Sequence, residues 1–279
     1  MQFMRVGACR HPECITIRGG RWAVVDFPAL VALVMHPTRG PILFDTGYAD
    51  RFEEVTAPFP ERFYRWATPY RLPREETLAH QLQQRGVQLE DIRLVVVSHL
   101  HADHMSGLRD LPHARFLVLR AEVEETLPRR GVAAVRRGFL PALLPADSGS
   151  RWEYADRRPT IDLAPAWRPF ERAFDLLGDR SLLGIPLPGH TPGQLGVLVR
   201  DLDDRPVFLV ADACWSTRAW REQRPPSPIA RLTMHDWRAY LATLAGLRRV
   251  AIDQPDLHLV PSHCAEAMAE RPVAAGASR

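Results

Sequence analysis

The chain has 279 residues, of which 46% are hydrophobic and 25% are charged, as is usual for a folded globular protein. This length excludes a disulfide-stapled miniprotein and fits either two domains or one large α/β domain. Basic residues exceed acidic ones by only 36 − 33 = +3, so nucleic-acid binding is not expected. Every basic residue is Arg and Asn is absent, a bias that indicates a GC-rich bacterial source.

The composition also bears on location. No stretch reaches the roughly 18 apolar residues of a membrane span, and the first ten residues lack the apolar run of a signal peptide. We therefore expect a cytoplasmic protein with no membrane partner and with reduced cysteines. Cys9 and Cys14 have a spacing that zinc sites can use, but Cys214 and Cys264 do not form a second pair. We interpret the first two as small buried or half-buried thiols.

The first half of the chain alternates short apolar runs with one helical pattern. Residues 24–35 and 41–45 predict two strands joined by a turn at 38–40. Residues 73–85 predict a helix with Pro in its first turn and Gly86 as its stop. Residues 91–97 form a short β-branched run, which predicts a strand that is buried on both faces.

The second half continues the alternation after a less regular segment. Residues 114–119 predict a strand and residues 121–127 a short helix. Residues 128–179 are rich in Arg, Pro and Trp with weak periodicity, which favours a surface insertion or lid. The remaining predicted elements are strands at 181–187, 193–199, 206–210 and 257–260, and a helix at 236–250. The tail at 265–279 is expected to fray, and residues 1–279 are expected to form a single domain.

Metal-ligating side chains crowd the segment directly after the buried strand. They are His99, His101, Asp103 and His104. Side chains two apart at the end of an extended segment share a side, so His99 and His101 can bind one ion together. Asp103 and His104 follow where the chain should turn into a helix, which can aim them at a second ion. A solvated histidine-rich loop would not explain why an apolar strand delivers the run to the carboxyl end of a sheet.

Three further candidate ligands each follow a predicted strand. His190 lies in a Pro-Gly-His-Thr-Pro-Gly turn after the strand predicted at 181–187. Asp212 follows the strand predicted at 206–210, and His263 follows the last predicted strand, 257–260. Open α/β sheets place ligands at the carboxyl ends of their strands. Any one of these residues alone would be interpreted as a turn Asp or a buried, hydrogen-bonded His. Together they indicate a metal site.

The ordered motifs resemble those of the metallo-β-lactamase superfamily over most of the chain. The residues that carry the resemblance are Phe44-Asp45-Thr46-Gly47, the run at 99–104, Gly189-His190-Thr191, Asp212 and His263. The resemblance implies an αββα four-layer sandwich, a member of the α/β class. It also implies that Asp45 orients a ligand His while Gly47 lets the chain turn under the site, the alternative being an ordinary Asp-Thr-Gly turn.

The same resemblance implies a dinuclear site. The implied ligands are His99, His101 and His190 on one ion, Asp103, His104 and His263 on the other, and Asp212 as the bridge. The implied cofactors are two divalent ions, namely zinc, with iron or manganese as alternatives. A water bridging two such ions is hydroxide near neutral pH and can attack a substrate, while Asp103 can carry a proton to the leaving group.

These features predict a metal-dependent hydrolase of a small-molecule ester, lactone or thioester. A phosphodiesterase on the same site and an iron-dependent redox enzyme are the alternatives. A non-catalytic binding module is disfavoured because no ligand position is lost. True β-lactamases of this fold generally lack the bridging Asp, and its nucleases usually carry an added domain. The motifs are most similar to those of acyl-homoserine-lactone lactonases and their relatives.

The sequence departs from those lactonases at Trp215. They commonly have a Tyr three residues after the bridging Asp, where it can donate a hydrogen bond to the substrate carbonyl. The indole N–H of Trp215 can donate but cannot accept. Trp215 is therefore either a donor to the substrate or a residue of the pocket wall, and we favour the wall because an indole fills space well.

Two other groups of residues bear on the substrate. Phe59, Phe63, Tyr64, Trp66 and Tyr70 lie where this superfamily often builds its substrate wall, and they suit an acyl chain or an aryl group. The alternative is a surface loop that tucks its aromatic side chains into the core. The pairs Arg129-Arg130 and Arg136-Arg137 are interpreted as solvated, with binding of a substrate carboxylate or phosphate as the alternative.

Overall fold

A computed structural model describes residues 1–269 of the chain. Strands of the first sheet are β1 (Gln2–Pro12), β2 (Val24–His36), β3 (Gly40–Phe44), β4 (Tyr70–Arg71), β5 (Leu94–Val96), β6 (Arg115–Val118) and β7 (Trp152–Tyr154). Strands of the second sheet are β8 (Thr160–Asp162), β9 (Arg172–Asp175), β10 (Leu182–Pro186), β11 (Leu195–Arg200), β12 (Pro206–Ala211) and β13 (His258–Pro261). Within the described residues the strand orders are β4-β1-β2-β3-β5-β6-β7 and β13-β12-β11-β10-β9-β8.

The α-helices are short, apart from one. They are α1 (Glu13–Thr16), α2 (Phe52–Val55), α3 (Arg62–Ala67), α4 (Leu78–Gln83), α5 (Ala102–Met105), α6 (Arg120–Thr126), α7 (Gly131–Val135), α8 (Thr217–Arg221), α9 (Trp237–Asp253) and α10 (Ala265–Ala269). In residues 1–269, no helix has the length and apolar character needed to cross a membrane.

Three hydrophobic cores separate four layers. The middle core lies between the sheets, where Leu30 and Ala32 of β2 and Val197 of β11 belong to one cluster. The opposite face of β2 places Val31 in a second cluster with the helices outside the first sheet. Leu247 of α9 packs on the outer face of the second sheet. Since both faces of each sheet are covered, the predicted αββα sandwich is confirmed.

The predicted hairpin and buried strand are confirmed. β2 and β3 pair antiparallel, with Ala32 opposite Phe44. β5 lies parallel to β3 on one side and to β6 on the other, so its residues Val95 and Val96 are buried. Parallel strands end at the same edge of the sheet. The segment that follows β5 is therefore delivered to the edge where the site forms.

The helix predicted at 73–85 is wrong as one continuous element. Residues Arg74–Glu76 form a 3₁₀ turn, and α4 begins only at Leu78. Thr77 between them has extended backbone angles, and its hydroxyl accepts a hydrogen bond from the His80 N–H. A threonine that caps a helix gains a partner for an otherwise free N–H, which favours a break here over a continuous helix. Strand β1, which the patterning left unassigned, pairs with β2 along most of its length.

The segment 128–179 contributes to both sheets. β7 adds an edge strand beside β6, while β8 and β9 extend the second sheet. The same segment reaches the candidate site, because the Ala102 N–H donates to the Gly138 carbonyl. That the segment acts as a lid stays a prediction. The predicted frayed tail begins with α10, and its residues 270–279 lie outside the described part of the chain.

Candidate metal centre

The seven predicted ligands meet at one edge of the two sheets. Four of them, His99, His101, His190 and Asp212, form one group in which one ligand atom from each lies within 4.8 Å of the others. Asp103, His104 and His263 form a second group by the same measure. The structure thus brings together every residue that the sequence proposed as a ligand, in the two sets that the family resemblance implies.

The run after β5 is positioned by a change from strand to helix. His101 has extended backbone angles and directly precedes α5, which carries Asp103 and His104 in its first turn. The rings of His99 and His101 lie 4.5 Å apart between centroids, as expected for side chains that share a side. The helical turn then directs Asp103 and His104 to the second group, as the sequence predicted.

Asp212 lies between the two groups. Its Oδ2 is 3.2 Å from His190 Nε2, and its Oδ1 is 3.1 Å from His263 Nε2. Oδ1 is also 3.3 Å from His104 Nε2. One carboxylate therefore reaches ligand nitrogens of both groups, as a bridging ligand must.

Polar contacts at Nδ1 orient three of the candidate ligand rings. His104 Nδ1 lies 2.7 Å from Asp45 Oδ2, and His263 Nδ1 lies 2.7 Å from the Pro28 carbonyl oxygen. Ser98 donates from its hydroxyl to Asp45 and lies 2.9 Å from His99 Nδ1. Hydrogen bonds at Nδ1 fix the ring orientation and leave Nε2 free to bind a metal.

Asp45 occupies a turn with an unfavourable backbone. It has φ of 60°, a left-handed conformation that costs free energy for a residue other than glycine. Its side chain is fully buried and also accepts the Ser98 N–H at 2.7 Å. At Gly47, a Cβ atom would lie 2.4 Å from Val6 Cβ, so the chain can turn under the site only with glycine here.

Burial and neighbouring charges set the protonation of the site. Burial, together with the nearby imidazoles, holds the pKa of His99 and of His101 well below the usual range, so both rings are neutral. Burial acts in the same direction on His104, but the carboxylates of Asp103, Asp212 and Asp45 raise its pKa well above the usual range. Burial opposes ionisation of Asp212, yet the histidines around it hold its pKa well below the usual range.

The buried polar atoms of the site fit a metal ion. His99 Nε2, His104 Nε2 and Asp212 Oδ1 are buried without a hydrogen-bond partner in the protein. Such atoms are costly unless a partner satisfies them. Imidazole nitrogens and carboxylate oxygens in this combination suit zinc, iron or manganese. The residues present therefore fit the implied metal centre.

Trp215 has a partner that the sequence did not reveal. Its indole N–H donates to Asp212 Oδ2 over 2.9 Å. The ring also packs edge-on against Phe27, at 5.6 Å between centroids, and Phe27 stacks on His263 at 4.5 Å. Trp215 thus contacts the Asp212 carboxylate and fills space beside the candidate ligands.

The predicted aromatic wall divides into two sets. Tyr64 and Tyr70 pack against Phe52, and the Tyr64 hydroxyl lies 3.5 Å from Asp103 Oδ1. Phe59, Phe63 and Trp66 instead form a mutually packed cluster whose side chains are 55%, 52% and 60% exposed. The Tyr64 phenol therefore faces the site, whereas the three apolar rings are exposed to solvent and belong to the same stretch of chain.

The arginine pairs also divide. Arg129 and Arg137 line a small pocket together with His101 and His190, whereas Arg130 and Arg136 are exposed. Arg137 donates to the Met234 carbonyl. One residue of each pair thus lines a pocket that two of the candidate ligands also line.

Sequence reasoning missed Glu122. Its carboxylate is buried and accepts backbone N–H groups from two of the loops that carry candidate ligands, those of His99–His101 and of His190. An acidic residue in the first turn of a short helix is a common sequence feature, so no signal in the sequence set it apart.

The comparisons with known proteins agree with this geometry. Residues 25–253 match the family described as the metallo-beta-lactamase superfamily. Since the match covers most of the chain, the protein belongs to this superfamily. It is a metallo-hydrolase of that fold, and proteins named as lactonases are among its sequence relatives.

Sequence relatives include enzymes named as lactonases. The chain is 28% identical to N-acyl homoserine lactonase AttM of Azorhizobium caulinodans over 220 residues. This alignment covers 77% of this chain and 76% of the relative. It is 29% identical over 238 residues to N-acyl homoserine lactonase AiiB of Agrobacterium fabrum, covering 82% of this chain and 76% of that one.

Solved structures share the fold. An N-acyl homoserine lactone hydrolase with the product N-hexanoyl-L-homoserine at its catalytic metal centre superposes with a TM-score of 0.69 at 18% identity, over 98% of this chain and 96% of that chain. AidC, described as a dizinc quorum-quenching lactonase, superposes with a TM-score of 0.67 at 17% identity, over 95% and 87%. At these identities the likeness establishes the fold.

Proposed function

We propose that this protein is a dinuclear metal-dependent hydrolase of small-molecule lactones, with N-acyl homoserine lactones as the first candidates. The observation that carries the proposal is Asp212, whose two oxygens reach ligand nitrogens of both groups. The lactonase names of AttM and AiiB support the choice of lactones over other esters and thioesters.

The chain's own residues would prepare the site for hydrolysis. When bound, two divalent ions would supply a water nucleophile that ionises near neutral pH and would act as Lewis acids toward the scissile carbonyl. Trp215 holds Asp212 by its N–H, and Asp45 holds the His104 ring. Asp103 lies at the edge of the second group, with Oδ2 3.6 Å from His263 Nε2, where it can pass a proton to the leaving oxygen of the opened ring.

The exposed aromatic cluster supports an apolar substituent on the substrate. Phe59, Phe63 and Trp66 follow the Asp45 turn, and Tyr64, on the same helix as Phe63 and Trp66, lies beside Asp103. An acyl chain bound there would cover apolar surface that is otherwise in water, at about 0.8 kcal/mol per buried methylene. Affinity should therefore rise with acyl length.

A hydrolysis screen tests the proposal. The zinc-loaded protein is assayed with N-acyl homoserine lactones of increasing acyl length, with thioesters and with bis-p-nitrophenyl phosphate. We expect ring opening of the lactones, with KM falling as the chain lengthens. Turnover of the phosphodiester with no lactone opening would overturn the proposal, and so would oxygen consumption by an iron-loaded sample that hydrolyses none of the three.

We place this activity in the cytoplasm. All four cysteines lie unpaired, with Cys9, Cys214 and Cys264 buried, which suits a reducing compartment. Burial raises the pKa of Cys214 well above the usual range, so this thiol is inert at neutral pH.

A further inference from the structure

The two loops that carry the three-histidine set, His99, His101 and His190, meet on one buried side chain. Glu122 in α6 is 1% exposed. Its Oε1 accepts the Leu100 N–H at 2.9 Å, and its Oε2 accepts the Gly193 N–H at 3.0 Å. Leu100 stands between His99 and His101, whereas Gly193 stands three residues after His190.

This carboxylate connects the two sheets at the site. The segment 98–101 follows β5 of the first sheet, and the segment 188–193 joins β10 to β11 of the second. Each loop gives one backbone N–H to one oxygen, so the carboxylate spans the two loops. A direct hydrogen bond from the Leu195 N–H to the Ser98 carbonyl joins the same two parts of the chain at the start of β11. Burial raises the pKa of Glu122, while the hydrogen bonds that the carboxylate accepts act in the opposite direction and favour its ionised form. Hydrogen bonds from N–H groups to an ionised acceptor are about twice as strong as neutral ones.

The backbone of α6 packs closely against the loop that carries Gly193. A Cβ atom on Gly193 would lie 2.4 Å from the Glu122 backbone nitrogen, so α6 touches this loop directly. The far side of the loop is fixed as well, because the His235 N–H donates to the His190 carbonyl. Leu100 itself is fully buried. Backbone groups of both loops therefore have hydrogen-bond partners within the protein.

We propose that Glu122 is the positioning residue that holds the His99–His101 and His190 loops at a fixed separation, and so sets the metal affinity of the three-histidine set. The inference rests on the metal centre of the proposed function. It is tested by metal binding rather than by hydrolysis. A protein that binds two ions but opens no lactone would therefore contradict the proposed function and leave this inference standing.

The test is Glu122→Gln, which keeps the shape but replaces one acceptor oxygen with an NH₂ group. That group faces a backbone N–H, so one loop loses its acceptor. The matched control is Glu124→Gln, the same charge change at an exposed position of the same helix. Zinc affinities are measured by competition with a chromophoric chelator. His101→Ala and His263→Ala serve as references for damage to each group.

We expect Glu122→Gln to weaken one of the two zinc ions by about 10- to 100-fold, in the pattern of His101→Ala, and to leave the other within threefold. Glu124→Gln should bind both ions as the wild type does. Wild-type affinity for both ions in Glu122→Gln would overturn the inference. Equal weakening of both ions, with a lower Tm of the metal-free protein, would show a purely structural role and would also overturn it.

A second measurement needs no variant and covers the case in which Glu122→Gln does not fold. Amide hydrogen exchange is followed for Leu100 and Gly193 in the wild-type protein, with and without zinc. Both amides should be strongly protected in both states, because their acceptor belongs to the protein. Rapid exchange of either amide in the metal-free protein would contradict the bridge.

Discussion

The two oxygens of Asp212 face different partners. Oδ2 accepts the Trp215 N–H and lies near His190, while Oδ1 lies near His104. His263 Nε2 lies within 3.3 Å of both oxygens. Its burial, which would favour the neutral acid, is outweighed by the surrounding histidines that lower its pKa. An ionised carboxylate at this position can serve both metal groups at once.

Replacement of this carboxylate tests the dinuclear site. The Asp212→Ala variant should bind less zinc at both groups and should not hydrolyse the substrate, because the carboxylate that both groups share is removed. Zinc per chain, measured by elemental analysis, and lactone turnover are the two measurements. The exposed Asp203→Ala is the control. Two bound ions and persisting activity in Asp212→Ala would refute the dinuclear interpretation.

A substitution at Trp215 distinguishes a role of its N–H group from a role of its ring as a space-filling group. Trp215→Phe keeps most of the apolar volume but removes the N–H that holds Asp212, which should cost about 1–3 kcal/mol in the transition state, or roughly tenfold to a hundredfold in kcat/KM. If the ring only fills space, the rate of this variant will be nearly unchanged. Rates are compared at equal zinc content and Tm.

Two further variants interpret that result. Trp22→Phe changes a ring that is 86% exposed and controls for the substitution itself. Trp215→Tyr should raise lactone hydrolysis only if a phenol at this position reaches the substrate. No gain with Tyr, together with a loss with Phe, would identify the contact with Asp212 as the role of the indole.

At the scale of the element, short helices depend on their first residues. α4 has only six residues, so it is marginal without its cap and its packing. Thr77→Ala should lower the free energy of unfolding by about 1 kcal/mol, while Thr77→Ser, which keeps the hydroxyl, should be close to the wild type. Urea denaturation provides the comparison. Equal stability of the Ala and Ser variants would show that the cap contributes nothing.

The cap of α9 predicts a pH dependence. Asp236 accepts the N–H groups of Arg238 and Ala239, and these backbone hydrogen bonds hold its pKa below the ordinary value of 3.8. Because the folded-state pKa is the lower one, the stabilisation is complete above the unfolded pKa and is lost as the pH falls through the folded one.

Asp236→Asn removes this titration and keeps a capping side chain. The difference in unfolding free energy between wild type and Asp236→Asn should favour the wild type at pH 7 and shrink as the pH falls below 3.8. Chemical denaturation at matched pH values measures it. A difference that stays constant over this window, or grows in acid, would contradict the assigned cap.

At the scale of the whole molecule, the candidate ligands come from both sheets. His99 and His101 follow β5 of the first sheet, while Asp212 and His263 follow β12 and β13 of the second. Ions bound there should therefore stabilise the packing of the two sheets. At a free zinc concentration 100 times the Kd, each ion contributes about 2.7 kcal/mol.

Metal removal tests this coupling. Treatment with a chelator should lower Tm by on the order of 5–10 °C per ion, and added zinc should restore it. Scanning calorimetry gives the measurement, and Asp212→Ala, which binds weakly, should respond little to either treatment. An unchanged Tm in the chelated wild type would show that the folded chain does not use the metal for its stability.

Much of this protein followed from local sequence. The hairpin of β2 and β3 and the buried strand β5 were predicted correctly, because β-branched runs and turn residues can be recognised within a few positions. The seven candidate ligands were predicted from ligand-type side chains at strand ends, and they lie together in the structure. That they bind metal stays a prediction. The break at Thr77 was missed because a capping hydroxyl and a helical periodicity compete over the same residues. The edge strands within 128–179 were missed because three- and four-residue strands carry almost no periodic signal.

Contacts between distant parts of the chain were decided only by the tertiary structure. From the sequence, Trp215 was either a hydrogen-bond donor to the substrate or a residue of the pocket wall. In the fold, its indole N–H donates to Asp212. The sequence indicated no role for Glu122. Its two carboxylate oxygens accept backbone N–H groups from residues that lie 22 and 71 positions away in the chain. The sequence determined which side chains can bind a metal, since that depends on residue type and strand ends. The hydrogen-bond partners of these side chains depend on how the two sheets pack, and no local sequence pattern encodes the distance between the sheets.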